Sequence, residues 1–106
     1  MKLLSQREEQ LMLAVWALKE EAYLVAIKKY LSDMIGKNWT LAGLHSPLQH
    51  LEDRGFLESY LGEATSVRGG RAKRIYRITQ SGFEALAQNK MITDALWANF
   101  PDLNIS

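Results

Sequence analysis

At 106 residues, with 47% hydrophobic and 24% charged side chains, the chain has the composition of one ordinary globular domain able to bury a core. Its formal net charge is only +1, so no overall polycation draws it to nucleic acid, and the absence of cysteine excludes disulfides and thiolate metal sites and fits a cytoplasmic protein. No run of about 18 apolar residues spans a membrane, and the N-terminus turns acidic at Glu8 and Glu9 without the apolar core of a signal sequence.

Ser5-Gln6-Arg7-Glu8 reads as a capping box, and Leu11, Val15 and Leu18 recur at helical spacing with Met12 and Trp16 beside them, which predicts a first helix over 6–20. Leu24, Ile27, Leu31 and Met34 form the stripe of a second helix, which Gly36 ends as a C′ residue. Nothing near Tyr23 caps its start. The loop Lys37-Asn38-Trp39-Thr40 follows, with room for one short extended segment.

Local signals conflict in the third helix. Leu41, Leu44, Leu48 and Leu51 hold helical spacing up to Gly55, yet Pro47 falls inside, where it removes a backbone bond and presses on the preceding turn. Ser46-Pro47 is also a good helix start by itself. The longer element, over 41–54 and bent or tightened between Gly43 and Pro47, is the expectation. Alternating β-prone residues over 56–61 and 74–79 then flank Gly69-Gly70, a pair suited to chain reversal, and predict a hairpin with a long tip.

Charge is concentrated on that hairpin. Residues 68–77 carry Arg68, Arg71, Lys73, Arg74 and Arg77 with no acid among them, whereas beyond residue 78 one lysine faces three acids. Guanidinium groups on a hairpin tip suit a phosphate backbone, because each neutralised phosphate releases condensed counterions; a solvated basic loop is the plain alternative. Hydroxyl caps at Thr79 and Ser81 open a fourth helix over 81–99, stopped by Pro101. On the order of 28 Å long, it overshoots a domain of this size and leaves Ile92, Leu96, Trp97 and Phe100 in water. Each buried apolar side chain contributes roughly 1.5 to 3 kcal/mol, so a homodimer with this helix in its interface is expected.

Three helices, a two-stranded hairpin wing and a trailing helix make an α+β winged helix-turn-helix, in which the third helix enters the major groove and the wing touches adjacent backbone. The expected division is 1–79 for the DNA-binding winged helix and 80–106 for the dimerisation helix and tail, in one compact unit. The segments Leu44-His45-Ser46-Pro47-Leu48-Gln49-His50-Leu51-Glu52-Asp53-Arg54-Gly55-Phe56-Leu57-Glu58 and Arg68 through Leu86, the latter with Thr79-Gln80-Ser81-Gly82, resemble PadR-like transcriptional regulators over about residues 8–90. Two departures stand out: His45 occupies the place of the family's usual tyrosine, and the proline that follows it comes one position late, at Pro47. The resemblance implies a homodimeric repressor acting on a palindromic operator.

Roles follow from the residues themselves. Arg68, Arg71, Lys73 and Arg74 are the wing's candidates for phosphates or the minor groove. Thr40, His45, Ser46, Gln49 and His50 are the polar residues of the third helix outside its leucine stripe, hence candidates for base edges or nearby phosphates. Tyr23 and Lys28 add backbone contacts from the second helix. Tyr76 and Arg77 are expected to be structural, and Glu52 and Asp53 to form a solvated face.

An enzyme is disfavoured. His45 and His50 are five apart rather than at the i, i+4 spacing of zinc sites, and neither a phosphate-binding loop nor Gly-x-Ser-x-Gly is present, so no catalytic residue, metal or cofactor is assigned. Two further alternatives stay open: Trp97 and Phe100 holding a small planar aromatic effector at the dimer interface, and the winged helix binding protein rather than DNA.

Overall fold

The structure, a computed structural model, describes residues 3–62 and 73–101. Helix α1, Gln6–Leu18, opens on the expected capping box: the Ser5 hydroxyl accepts from the Glu8 amide at 3.1 Å, and Glu8 accepts from the Ser5 amide at 2.8 Å. It ends two residues earlier than its pattern predicts, because Lys19 adopts φ 51° and the chain tightens into a 3₁₀ turn over Lys19–Glu21. Helix α2, Leu24–Ile35, stops at Gly36 in the left-handed region at φ 67°, where glycine carries no Cβ penalty. Met34, on its last turn, is exposed.

Helix α3, Leu41–Asp53, runs through Pro47. The Thr40 hydroxyl caps it, accepting from the Gly43 amide at 2.8 Å, so the helix begins at Thr40 and not at Ser46. The bond that Pro47 cannot donate belongs to the carbonyl of Gly43, one turn back. Leu44, Leu48 and Leu51 are buried, whereas Leu41 overhangs the core and stays 41% exposed.

The hairpin forms as expected. Strands β1, Leu57–Leu61, and β2, Arg74–Ile78, pair antiparallel with Leu57 opposite Ile78 and Leu61 opposite Arg74. A third piece of sheet, absent from the sequence reading, comes from the segment before α2: Tyr23 bridges Ile75, and the Tyr76 amide donates to the Ala22 carbonyl at 2.9 Å. The extended segment expected at 37–40 is not a strand. Trp39 instead turns into the core, 4% exposed, with the Arg7 guanidinium 4.4 Å over its ring.

Helix α4, Gln80–Trp97, is anchored at its start by a compact knot. Thr79 donates from its hydroxyl to the Gly55 carbonyl at 2.6 Å, accepts there from the Gly82 amide at 3.0 Å, and donates from its own amide to the Phe56 carbonyl at 3.1 Å. Gly82 lies so close to β1 that a Cβ would fall 2.2 Å from the Phe56 carbonyl oxygen. Farther along, Asn89, the buried polar residue of the helix, donates to Glu9 of α1 at 2.6 Å, and Phe83 meets Trp16 edge-on at 5.1 Å.

The core joins Leu11, Met12 and Val15 of α1, Ile27 and Leu31 of α2, the three α3 leucines, Leu57 and Tyr76. Past Asn89 the trailing helix leaves it. Leu96 is 70% exposed, Trp97 55% and Phe100 54%, while Ile92 is half-buried. A radius of gyration of 16.0 Å, against about 13 Å for a compact chain of this length, reflects that overhang.

Candidate nucleic-acid interface

The base of the wing, the start of α2 and the outer face of α3 enclose an open groove of about 510 Å³. Tyr23, Leu24 and Val25 line it from α2 and its N-cap, His45 from α3, and Lys73, Arg74 and Tyr76 from β2 and the residue before it. Four residues singled out in the sequence (Tyr23, His45, Lys73 and Arg74) therefore meet in one concavity although they are up to 51 positions apart, from Tyr23 to Arg74. The Ala22–Tyr76 hydrogen bond and the Tyr23–Ile75 bridge make this possible by stitching the α2 N-cap to the second strand.

Among the described residues no carboxylate lines the groove. The Lys73 ammonium sits 4.0 Å over the Tyr23 ring, a cation–π contact that leaves its charge unneutralised. Arg74 donates to the Ser59 hydroxyl at 2.9 Å, and Ser59 donates in turn to Glu52 at 2.9 Å. Burial raises the Tyr76 phenol above its ordinary range; the Glu52 charge adds to this and Arg74 opposes it, so the ring stays neutral beneath the cations. Glu52 is thus not part of a solvated face. Asp53 is exposed and accepts from Gln49 at 3.0 Å. Across the hairpin, Arg77 pairs with Glu58, which holds it in the strand.

Along α3, His45, Ser46, Gln49 and His50 are exposed on the side away from the leucine stripe. Thr40 is exposed too, but its hydroxyl oxygen is occupied as the helix cap. Lys28 is half-buried on α2 and does not line the groove. Arg68 and Arg71 lie outside the described residues. The fourth set of candidates is far from this face: Ile92, Leu96, Trp97 and Phe100 belong to the overhang of α4, where Trp97 and Phe100 stack edge-on at 5.3 Å.

Arg54 escaped the sequence reading. It donates to Glu8 at 2.9 Å, ties the end of α3 to the start of α1, and packs 4.7 Å from the Phe56 ring. Burial disfavours the Glu8 carboxylate, but the Ser5 amide and the Arg54 charge outweigh that and hold it below the ordinary glutamate range. This bond fixes α3 against the body from behind, leaving its polar side outward.

A second groove, of about 540 Å³, runs between α1 and α4. Leu13, Trp16, Phe83, Leu86 and Ala87 form its apolar walls. Glu9, already bonded to Asn89, and the Lys90–Asp94 pair at 2.6 Å form its rim. Among the described residues no group of three or more His, Cys, Asp or Glu could hold a metal ion, and no helix is long and apolar enough to cross a membrane.

No family model matches the chain, and no curated relative does. Solved structures do. The PadR family transcriptional regulator from Eggerthella lenta DSM 2243 superposes with a TM-score of 0.68 at 27% identity, over 87% of this chain and 78% of that one. The hsRosR-S1 complex gives 0.66 at 24% identity, over 91% and 78%. The PadR-like transcriptional regulator from Bacillus cereus strain ATCC 14579 gives 0.67 at 17% identity, over 87% of each chain. At such identities the latter two speak to the fold, a winged helix with a C-terminal helix.

Proposed function

We propose that this chain, a PadR-like winged-helix transcription regulator and not an enzyme, binds double-stranded DNA in the cytoplasm as a homodimer and represses at a palindromic operator. The observation that supports this reading is the wing-base groove, where Lys73 and Arg74 stand beside His45 and Tyr23 with no acid among the described lining residues. The exposed polar side of α3 then enters the major groove, with His45, Ser46, Gln49 and His50 at base edges or nearby phosphates and Thr40 at the helix start facing backbone. The wing residues, Arg68 and Arg71 included, follow the neighbouring phosphates, with Tyr23 at the α2 side of the groove and Lys28 meeting backbone farther along α2.

A dimer is supported by the overhang of α4. Leu96, Trp97 and Phe100 are all more than half exposed, and the apolar groove between α1 and α4 lies along the same helix. A two-fold pairing covers both at once and sets the two recognition helices at a fixed separation, as half-sites of a palindrome require. Selection of bound duplexes from random DNA tests the proposal: an inverted repeat with half-sites about one helical turn apart is expected, and recovery of no preferred sequence overturns sequence-specific binding. If about six to eight phosphates are neutralised by the dimer, log K falls against log[salt] with a slope of roughly −5 to −7.

The α1–α4 groove favours a second reading, in which a planar aromatic compound binds against Trp16 and Phe83 or between Trp97 and Phe100 of facing protomers. Quenching of tryptophan fluorescence by planar cations, lost on substitution of Trp97 or Trp16, tests it; unchanged emission overturns it.

A further inference from the structure

His45 is exposed on α3 where that helix meets the wing-base groove, so its imidazole shares the groove with two fixed cations. On its own helix, residues 41–49 carry no other ionisable side chain. From the α2 side it faces the Tyr23 phenol, and from the strand side Lys73, Arg74 and the neutral Tyr76. Among the described residues Glu52, two turns farther along α3, accepts from Ser59, to which Arg74 donates.

An imidazole is the one side chain whose ordinary titration changes its charge between pH 5 and 8. A DNA phosphate that enters the groove beside Lys73 and Arg74 favours the imidazolium, because an opposite charge nearby stabilises the charged form. Resting on the DNA-binding reading above, we propose that duplex binding is coupled to protonation of His45. Each protomer takes one proton from solvent as a phosphate enters the groove, so affinity rises as pH falls.

Fluorescence anisotropy of the full chain with a labelled mixed-sequence duplex of about 30 base pairs, at constant ionic strength between about pH 8 and about pH 6, reads the coupling directly. Binding is expected to tighten by about three- to tenfold toward the lower pH. His45→Gln flattens the dependence, and His45→Lys supplies a permanent charge, giving a flat profile at the tighter affinity. A flat profile for the natural chain, or an equal slope in His45→Gln, overturns the coupling while leaving DNA binding intact. Failure to bind the duplex at any pH overturns DNA binding itself and the coupling with it. Circular dichroism of each variant confirms that the exposed position tolerates the change.

Discussion

The two main grooves of the molecule are nearly equal in volume, about 510 and 540 Å³, yet they are built for opposite partners. At the wing base, Lys73 and Arg74 stand beside apolar lining with no acid among the described lining residues, a setting that attracts an anion. Between α1 and α4 the single lysine is already paired with Asp94 and Glu9 is hydrogen-bonded by Asn89, so the rim's polar groups are engaged and the walls offer apolar surface. One face recruits by electrostatics and weakens in salt. The other recruits by burial, which salt does not screen.

The sharpest test of that division is to place charge on the apolar side. Leu96→Glu with Trp97→Glu removes two side chains per protomer from the expected interface, four in a two-fold dimer. At roughly 1.5 to 3 kcal/mol each, the loss is of the same order as the whole association free energy of a micromolar dimer, about 8 kcal/mol. Sedimentation velocity is expected to show a monomer, and salt should not restore the dimer. An unchanged sedimentation coefficient would place the interface elsewhere.

Next in size is the joint between the two regions. In Gly82→Ala the new Cβ would sit 2.2 Å from the Phe56 carbonyl oxygen, a backbone atom that no rotamer change can move. The helix must shift off the strand, breaking the Thr79 knot, at a cost of about 2 to 4 kcal/mol in thermal unfolding. Because α4 carries the apolar face, the same change should also loosen the dimer. A melting midpoint equal to that of the natural chain would show that the helix start is not under the constraint described.

A smaller effect is expected at the cationic groove. Arg74→Ala removes one phosphate contact per protomer, so the salt slope should flatten by about 2 in the dimer, with little change in sequence preference. Gln49→Ala should do the reverse, altering which sequence is preferred at a similar salt slope. If both leave duplex affinity and preference unchanged, the wing-base face is not the DNA face.

What the sequence could foretell divides along the range of the interactions involved. The caps at Ser5, Gly36 and Thr79 and the pairing of 57–61 with 74–78 are decided by residues a few positions apart or by a local alternation, and they were legible. Pro47 was ambiguous for the opposite reason: local rules argue for a break, and a continuous stripe of core leucines argues against one, so packing decides. Of the site, the polar positions on α3 and the wing cations could be named in advance. Their convergence could not, because it depends on the pairing of Ala22 with Tyr76, 54 positions away, and on the Lys19 kink that turns the chain toward it. Trp39 looked like a loop residue until α1 was laid beside it. Arg54 looked like one more cation until Glu8, 46 positions earlier, was found against it.

That Arg54–Glu8 pair supplies the mildest test, and it concerns the body that holds the grooves apart. Both side chains are about four-fifths buried, so solvent screens them less than the surface pairs Lys29–Asp33 and Lys90–Asp94. Folding lowers the titration of Glu8, which means that its contribution is fully present above the ordinary glutamate range and is lost as pH falls through the folded-state value. The natural chain should therefore lose stability on acidification by about 1 kcal/mol more than Glu8→Gln does; that variant keeps the shape but carries no charge to lose. Chemical denaturation at neutral and acid pH measures the difference. Arg54→Ala should be less stable than the natural chain at neutral pH, because it strands the carboxylate with only Ser5, and the deficit should shrink in acid. A deficit that stays constant with pH would mean that Arg54 acts through its packing on Phe56 alone and that the charge pair contributes nothing to holding α3 in place.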